Sequence, residues 1–100
     1  MNHPYIVSAA IQLVPILPGN RHPYQWIDEV IEIIKAEGFR CVVGPFSTSF
    51  DADYKSVMNL IDKINQYLLS GSCPEWLLNV QIQVRSGADI TSSEKTDKHQ

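Results

Sequence analysis

Val43-Gly44-Pro45-Phe46-Ser47-Thr48-Ser49-Phe50-Asp51-Ala52-Asp53 is the stretch that decides the fold. A strand-like run breaks at Gly-Pro, resumes with hydroxyl and aromatic residues, and meets an aspartate able to cap a following helix. The stretch reads as a hairpin feeding a helix. Upstream, Ile6-Val7-Ser8-Ala9-Ala10-Ile11-Gln12-Leu13-Val14-Pro15 alternates as a strand with one buried face. Between the two, Pro23 suits the first position of a helix, and Ile27, Val30, Ile31 and Ile34 recur on one stripe until Gly38. Downstream of Asp53, Val57, Leu60, Ile61, Ile64 and Leu68 share one helical face, with Asp62, Lys63 and Gln66 on the other, until Gly71. A last strand runs from Trp76 to Arg85, placing Leu78, Val80, Ile82 and Val84 on one side and Asn79, Gln81, Gln83 and Arg85 on the other.

The order is strand, helix, strand, strand, helix, strand. Two amphipathic helices cannot both pack on the edges of a four-stranded sheet, but they can share one of its faces. With right-handed crossovers the βαββαβ order predicts an α+β ferredoxin-like plait, an antiparallel sheet with both helices on one side. One domain over 1–86 is expected. From residue 87 onward the chain is polar and lacks an apolar period, so 87–100 reads as a disordered tail whose deletion would leave the melting temperature unchanged.

At 100 residues, 44% hydrophobic and 19% charged, the chain has the balance of a soluble single domain. Folding at this length buries only about 60–65% of the extended chain's surface, and association between copies would add to it. The net charge is −3 and the eight Lys and Arg residues are scattered, which leaves no footprint for a phosphate backbone. Neither a secretory leader nor a membrane-spanning apolar run is evident. The expectation is a cytoplasmic protein with no nucleic-acid or membrane partner. Cys41 and Cys73 match no redox or zinc spacing and read as free thiols.

Catalytic sets are absent from the pattern. His3 and His99 lie in terminal segments, and His22 precedes a proline at a helix start. Ser47, Thr48 and Ser49 have no histidine nearby in sequence and no G-x-S-x-G elbow. Asp51 and Asp53 could suggest a metal, but capping accounts for Asp53. Pro18-Gly19-Asn20 lacks the glycine spacing and lysine of a phosphate loop. No catalytic residue, metal or cofactor is expected.

Function must then be sought on the sheet face that the helices leave open. Val7, Ala9, Ile11 and Leu13 should face the helices, as should Phe39, Cys41 and Val43 in the second strand. The open side collects Ser8, Gln12, Arg40, Val42, Asn79, Gln81 and Gln83, with the Ser47–Ser49 hydroxyls close by. Two readings stand side by side. One is an oligomer interface rich in side-chain amides. The other is a site for an uncharged heteroaromatic ligand, since Gln and Asn offer both donor and acceptor to a ring with alternating amino and ring-nitrogen positions. Both hold if the ligand lies between subunits.

The elements Ile11-Gln12-Leu13-Val14-Pro15, Pro45-Phe46-Ser47-Thr48 and Asp51-Ala52-Asp53, in that order and spacing over roughly residues 6–85, resemble the small thiamine-binding family of ferredoxin-like proteins. The resemblance implies a protein that is not an enzyme. It would bind thiamine or its hydroxymethylpyrimidine part as a carrier, buffer or sensor, and assemble as dimers or tetramers through its sheets. The ligand-binding residues it points to are Ser8, Gln12, Phe46, Ser47, Thr48, Asn79 and Gln81, with Phe46 and Trp76 available for stacking and Asp51 or Glu75 for a thiazolium charge. Ala52 departs from the family, which usually has glycine in that turn. Two other functions share the plait: a regulatory module sensing another small molecule such as an amino acid, and an acylphosphatase-like hydrolase. The first normally carries a second domain, and the second needs a glycine-rich anion loop where this chain has Pro18-Gly19-Asn20-Arg21.

Overall fold

The computed structural model describes residues 3–19 and 23–90. In chain order they form β1 (Ile6–Pro15), α1 (Tyr24–Ala36), β2 (Cys41–Val43), β3 (Thr48–Asp53), α2 (Tyr54–Ser70) and β4 (Trp76–Gln83). The strands make one sheet in the order β2-β3-β1-β4, with every neighbouring pair antiparallel. This is the ferredoxin-like α+β plait. The longest strand, β1, lies inside the sheet, pairing β3 from Ile6↔Asp53 to Ile11↔Thr48 and β4 from Ser8↔Gln83 to Pro15↔Trp76.

Alternation along β1 sends Val7, Ala9, Ile11 and Leu13 to the helix side, where all four are buried. There they join Phe50 and Ala52 of β3, Val30 and Ile34 of α1, and Val57, Leu60, Ile64 and Leu68 of α2 in a single core. Burying one such large aliphatic or aromatic side chain stabilises by about 1.5–3 kcal/mol. The α2 stripe is the one expected from sequence. On α1 the contact face is rotated slightly: Ile33 and Trp26 pack against the core beside Ile27, while Ile31 stays half-buried outside it. Phe39 stacks on Phe50 with ring centroids 5.2 Å apart and nearly parallel planes. Val43, expected inward, is 50% exposed, because β2 is a three-residue edge strand that the helices do not cover at its end.

Helix boundaries follow local chemistry. Pro23 stands one position earlier than expected, at the N-cap of α1, and provides no side-chain bond there. Asp53 caps α2: Ser56 donates its hydroxyl to Oδ1 at 2.6 Å and its backbone N–H to Oδ2 at 3.0 Å. The Ser56 hydroxyl, and then its N–H, hold the Asp53 carboxyl below its ordinary pKa. A lowered carboxyl contributes stability that is complete above the ordinary aspartate value and is lost as pH falls through the lowered one. Asp53→Ala should therefore cost about 1 kcal/mol at neutral pH. Urea unfolding should show wild type and variant converging in strong acid, and a gap that persists there would refute the cap as its source.

The end of α2 differs from the glycine stop expected at Gly71. Cys73 N–H donates to Leu68 O at 3.0 Å and Ser72 N–H to Leu69 O at 3.2 Å, the paired bonds of a Schellman ending. Ser72, at φ +64°, is the left-handed residue, whereas Gly71 has an ordinary φ of −82°. A side chain in that region costs about 1–2 kcal/mol that glycine would not. Glycine at 71 answers a different need: a Cβ there would lie 2.9 Å from Cζ3 of Trp26.

The packed chain continues past the boundary expected at Ser86. Ile90 is 3% exposed and donates its N–H to Ile6 O at 3.0 Å, while Asp89 Oδ1 accepts from Ile6 N–H at 2.7 Å. Arg85 Nη1 donates to Asp89 O at 3.2 Å. The physical reason lies in the register. Because β4 ends with Gln83 opposite Ser8, Ile6 extends beyond it, and residues 89–90 satisfy the Ile6 N–H and C=O instead. The remainder of the expected tail, 91–100, lies outside the described residues.

Candidate functional site

Register arranges the open face in rows. Gln12 stands opposite Asn79; Ala10 stands between Ser49 and Gln81; Ser8 stands between Asp51 and Gln83; Val14 faces Leu77 at the end nearest Pro15. Asn79 Nδ2 donates to Gln12 Oε1 at 3.1 Å, which ties the two amides together across the strand pair. Ala10, with only a methyl group, leaves the floor low beside them. The β2–β3 loop closes the other side: Gly44 N–H donates to Ser47 O at 2.8 Å, and the turn presents Phe46 at 79% exposure. Together these make a shallow concavity of about 560 Å³ lined by Ala10, Gln12, Phe46, Ser47, Leu78, Asn79, Val80 and Gln81.

Five of the seven residues proposed from sequence thus come together: Gln12, Phe46, Ser47, Asn79 and Gln81. Ser8 and Thr48 do not. Ser8 lies beyond the Ala10 row, beside Asp51, and is only 6% exposed. Thr48, paired with Ile11, points to the helix side at 3% exposure. Thr48 opens β3 facing the core, whereas Ser47 precedes it in the loop and borders both the open face and the helix side. Thr48 instead lines a small cleft of about 150 Å³ between α1 and the hairpin, with Ile31, Gly44 and Pro45, and Gln12, Phe46 and Ser47 border this cleft as well as the open face. Trp76 is also removed from the open face, since its Nε1 donates to Asn65 Oδ1 of α2 at 3.0 Å. Leu78 and Val80 also line the concavity, although alternation points their side chains to the helices, and so does Ala10, which alternation puts on the open side of β1 but which is not among the proposed ligand-binding residues.

The chemistry of the concavity is neutral. No described residue lining it is charged. Its polar equipment is three amides and a hydroxyl, set around an exposed aromatic ring. Amides so placed can present donor and acceptor side by side to the edge of a flat ring, and Phe46 can cover its face. Asp51, on the Ser8 row, is the nearest acidic residue by register, whereas Glu75 precedes β4 and is exposed. Among the described residues no three His, Cys, Asp or Glu side chains gather as a metal site, and both cysteines are free. Among them, too, no helix is long and apolar enough to cross a membrane.

The comparisons with known proteins agree with this architecture. A family model described as thiamine-binding protein matches residues 9–100. A UPF0045 protein of Clostridium perfringens is 24% identical over 92 residues, covering 92% of this chain and 95% of that one. Among solved structures, a protein of Thermotoga maritima described as a candidate for thiamine biosynthesis or salvage superposes with a TM-score of 0.82 at 27% identity. It covers 95% of this chain and 99% of its own. A domain of unknown function from Bacillus cereus superposes at 0.84 with 21% identity, over 96% of this chain and 91% of its own, and speaks to the fold alone.

Proposed function

We propose that this chain, which belongs to the thiamine-binding protein family, binds thiamine or its hydroxymethylpyrimidine part on the open sheet face and catalyses no reaction. The observation that carries the reading is the neutral concavity in which Gln12, Ser47, Asn79 and Gln81 surround the exposed Phe46. An aminopyrimidine alternates donors and acceptors around its edge, and side-chain amides match that alternation without burying a charge. The role is that of a carrier, buffer or sensor in the cytoplasm, with no nucleic-acid or membrane partner.

The same face supports assembly. Val14, Val42 and Leu77 are 36, 66 and 55% exposed on it, and a second copy laid across the sheet would cover them and deepen the concavity. A dimer or tetramer is the expected state. Titration calorimetry with thiamine and with hydroxymethylpyrimidine is the first test, and saturable heat with at least one is expected. Absence of heat with both at high concentration would reject the binding reading. Sedimentation at micromolar concentration should show a multiple of two, and a monomer throughout that range would remove the shared face.

A further inference from the structure

A second concavity shares no lining residue with the first. It lies between the start of α1, the end of α2 and the segment leaving β1, has a volume of about 540 Å³, and is lined by Leu17, Gln25, Trp26, Tyr67, Gly71, Ser72 and Pro74. We infer that it binds an uncharged planar heteroaromatic molecule, distinct from the ligand of the open sheet face.

Three observations converge on that class. The Trp26 and Tyr67 rings meet edge to face, centroids 5.9 Å apart and planes at 64°. Both are half-buried, so they form a corner in which a flat ring can lie against one wall and meet the other edge-on. The Trp26 wall is seated directly on the backbone at Gly71, where a Cβ would come within 2.9 Å of the indole. Finally, none of the described lining residues carries a charge at neutral pH, so among them an ionised guest would lose hydration without gaining a counter-ion.

Ser72 gives the site its polar end. The Schellman bonds that close α2 are made by backbone groups and need no serine, yet the chain holds serine at φ +64°, where glycine would be unstrained. Strained side chains of this kind mark positions where the side chain itself has a use. Ser72 lines the concavity, as does Gln25, so a hydroxyl and an amide with both donor and acceptor border it. The volume lies within the range of small-molecule pockets.

Proton–nitrogen correlation NMR resolves the indole N–H signals of Trp26 and Trp76, and Trp76→Phe assigns them. Adenine and nicotinamide serve as neutral probes and benzoate as the charged control. The expected result is a saturable shift of the Trp26 signal by a neutral probe, with Trp76 unmoved and benzoate at least about fivefold weaker. Ser72→Gly should melt at or above the wild-type temperature while weakening the probe about threefold or more; Gln25→Ala is the second variant, and weakening in either supports the site. The inference is overturned if the Trp26 signal stays fixed with both neutral probes at about 5 mM, if benzoate binds as tightly, or if neither variant loses affinity. Because Ser72 and Gln25 lie outside the open-face concavity, thiamine calorimetry on Ser72→Gly keeps the two sites' failures distinguishable.

Discussion

A chain ended at Ser86 should melt roughly 10 °C or more below the full-length protein. Ile90 is 3% exposed, and truncating a buried isoleucine to alanine costs about 2–5 kcal/mol. For a domain of this size each kcal/mol is worth about 4–8 °C. The truncation also strips the Ile6 N–H of its bond to Asp89 and the Ile6 C=O of its bond to the Ile90 N–H. Ile90→Ala in the full chain isolates the side-chain share and should lower the midpoint by at least half as much. Scanning calorimetry on the three proteins decides the matter. Equal midpoints would mean that residues 89–90 dock on the sheet without joining its cooperative unfolding.

For function, the largest expected change is a loss of about tenfold or more in thiamine or hydroxymethylpyrimidine affinity in Gln12→Ala. The substitution removes one amide from the concavity and releases Asn79 from its 3.1 Å bond, so two polar partners are disturbed at once. Unpairing a buried hydrogen-bonding edge costs about 1–3 kcal/mol, which spans that loss. Thr48→Val provides the contrast, because Thr48 faces the helices and should leave affinity within about twofold. Calorimetry in which Gln12→Ala binds like wild type would take Gln12 out of the site. A large loss in Thr48→Val would move the ligand toward the cleft between α1 and the hairpin.

The contrast between those two residues shows where sequence reading works and where it stops. Asp53 as a cap, the α2 stripe from Val57 to Leu68 and the alternation of β4 are legible because each rests on contacts within a few residues. Gln12, Asn79 and Gln81 are legible for the same reason, since alternation alone puts them opposite the core. Thr48 is not, because its face depends on the hairpin register; Trp76 shares the parity of Leu78 and Val80, so alternation places it on the helix side, and only its bond to Asn65, eleven residues earlier, is beyond sequence reading. Ser8 has the right face, but its burial depends on its neighbours across the sheet. Ile90 is a lone apolar residue in a polar run and carries no period to read. Gly71 and Ser72 look interchangeable as helix stops until Trp26 is seen against one of them.

The strand Trp76–Gln83 sits at the margin of the sheet, opposite the β2 end, and its eight residues, Trp-Leu-Leu-Asn-Val-Gln-Ile-Gln, contain no charge, proline or glycine. Native margins are commonly guarded by lysines, prolines or bulges that stop a stray chain from adding on. This one has its guards only at the flanks, in Pro74, Glu75 and Arg85. The sequence has the marks of a segment that stacks with copies of itself once its outer row of backbone groups is uncovered. Partly unfolded protein is therefore at risk of templated fibre growth at high concentration. An assembly that shields this margin would keep copies of the strand from adding on as well as stabilise the chain.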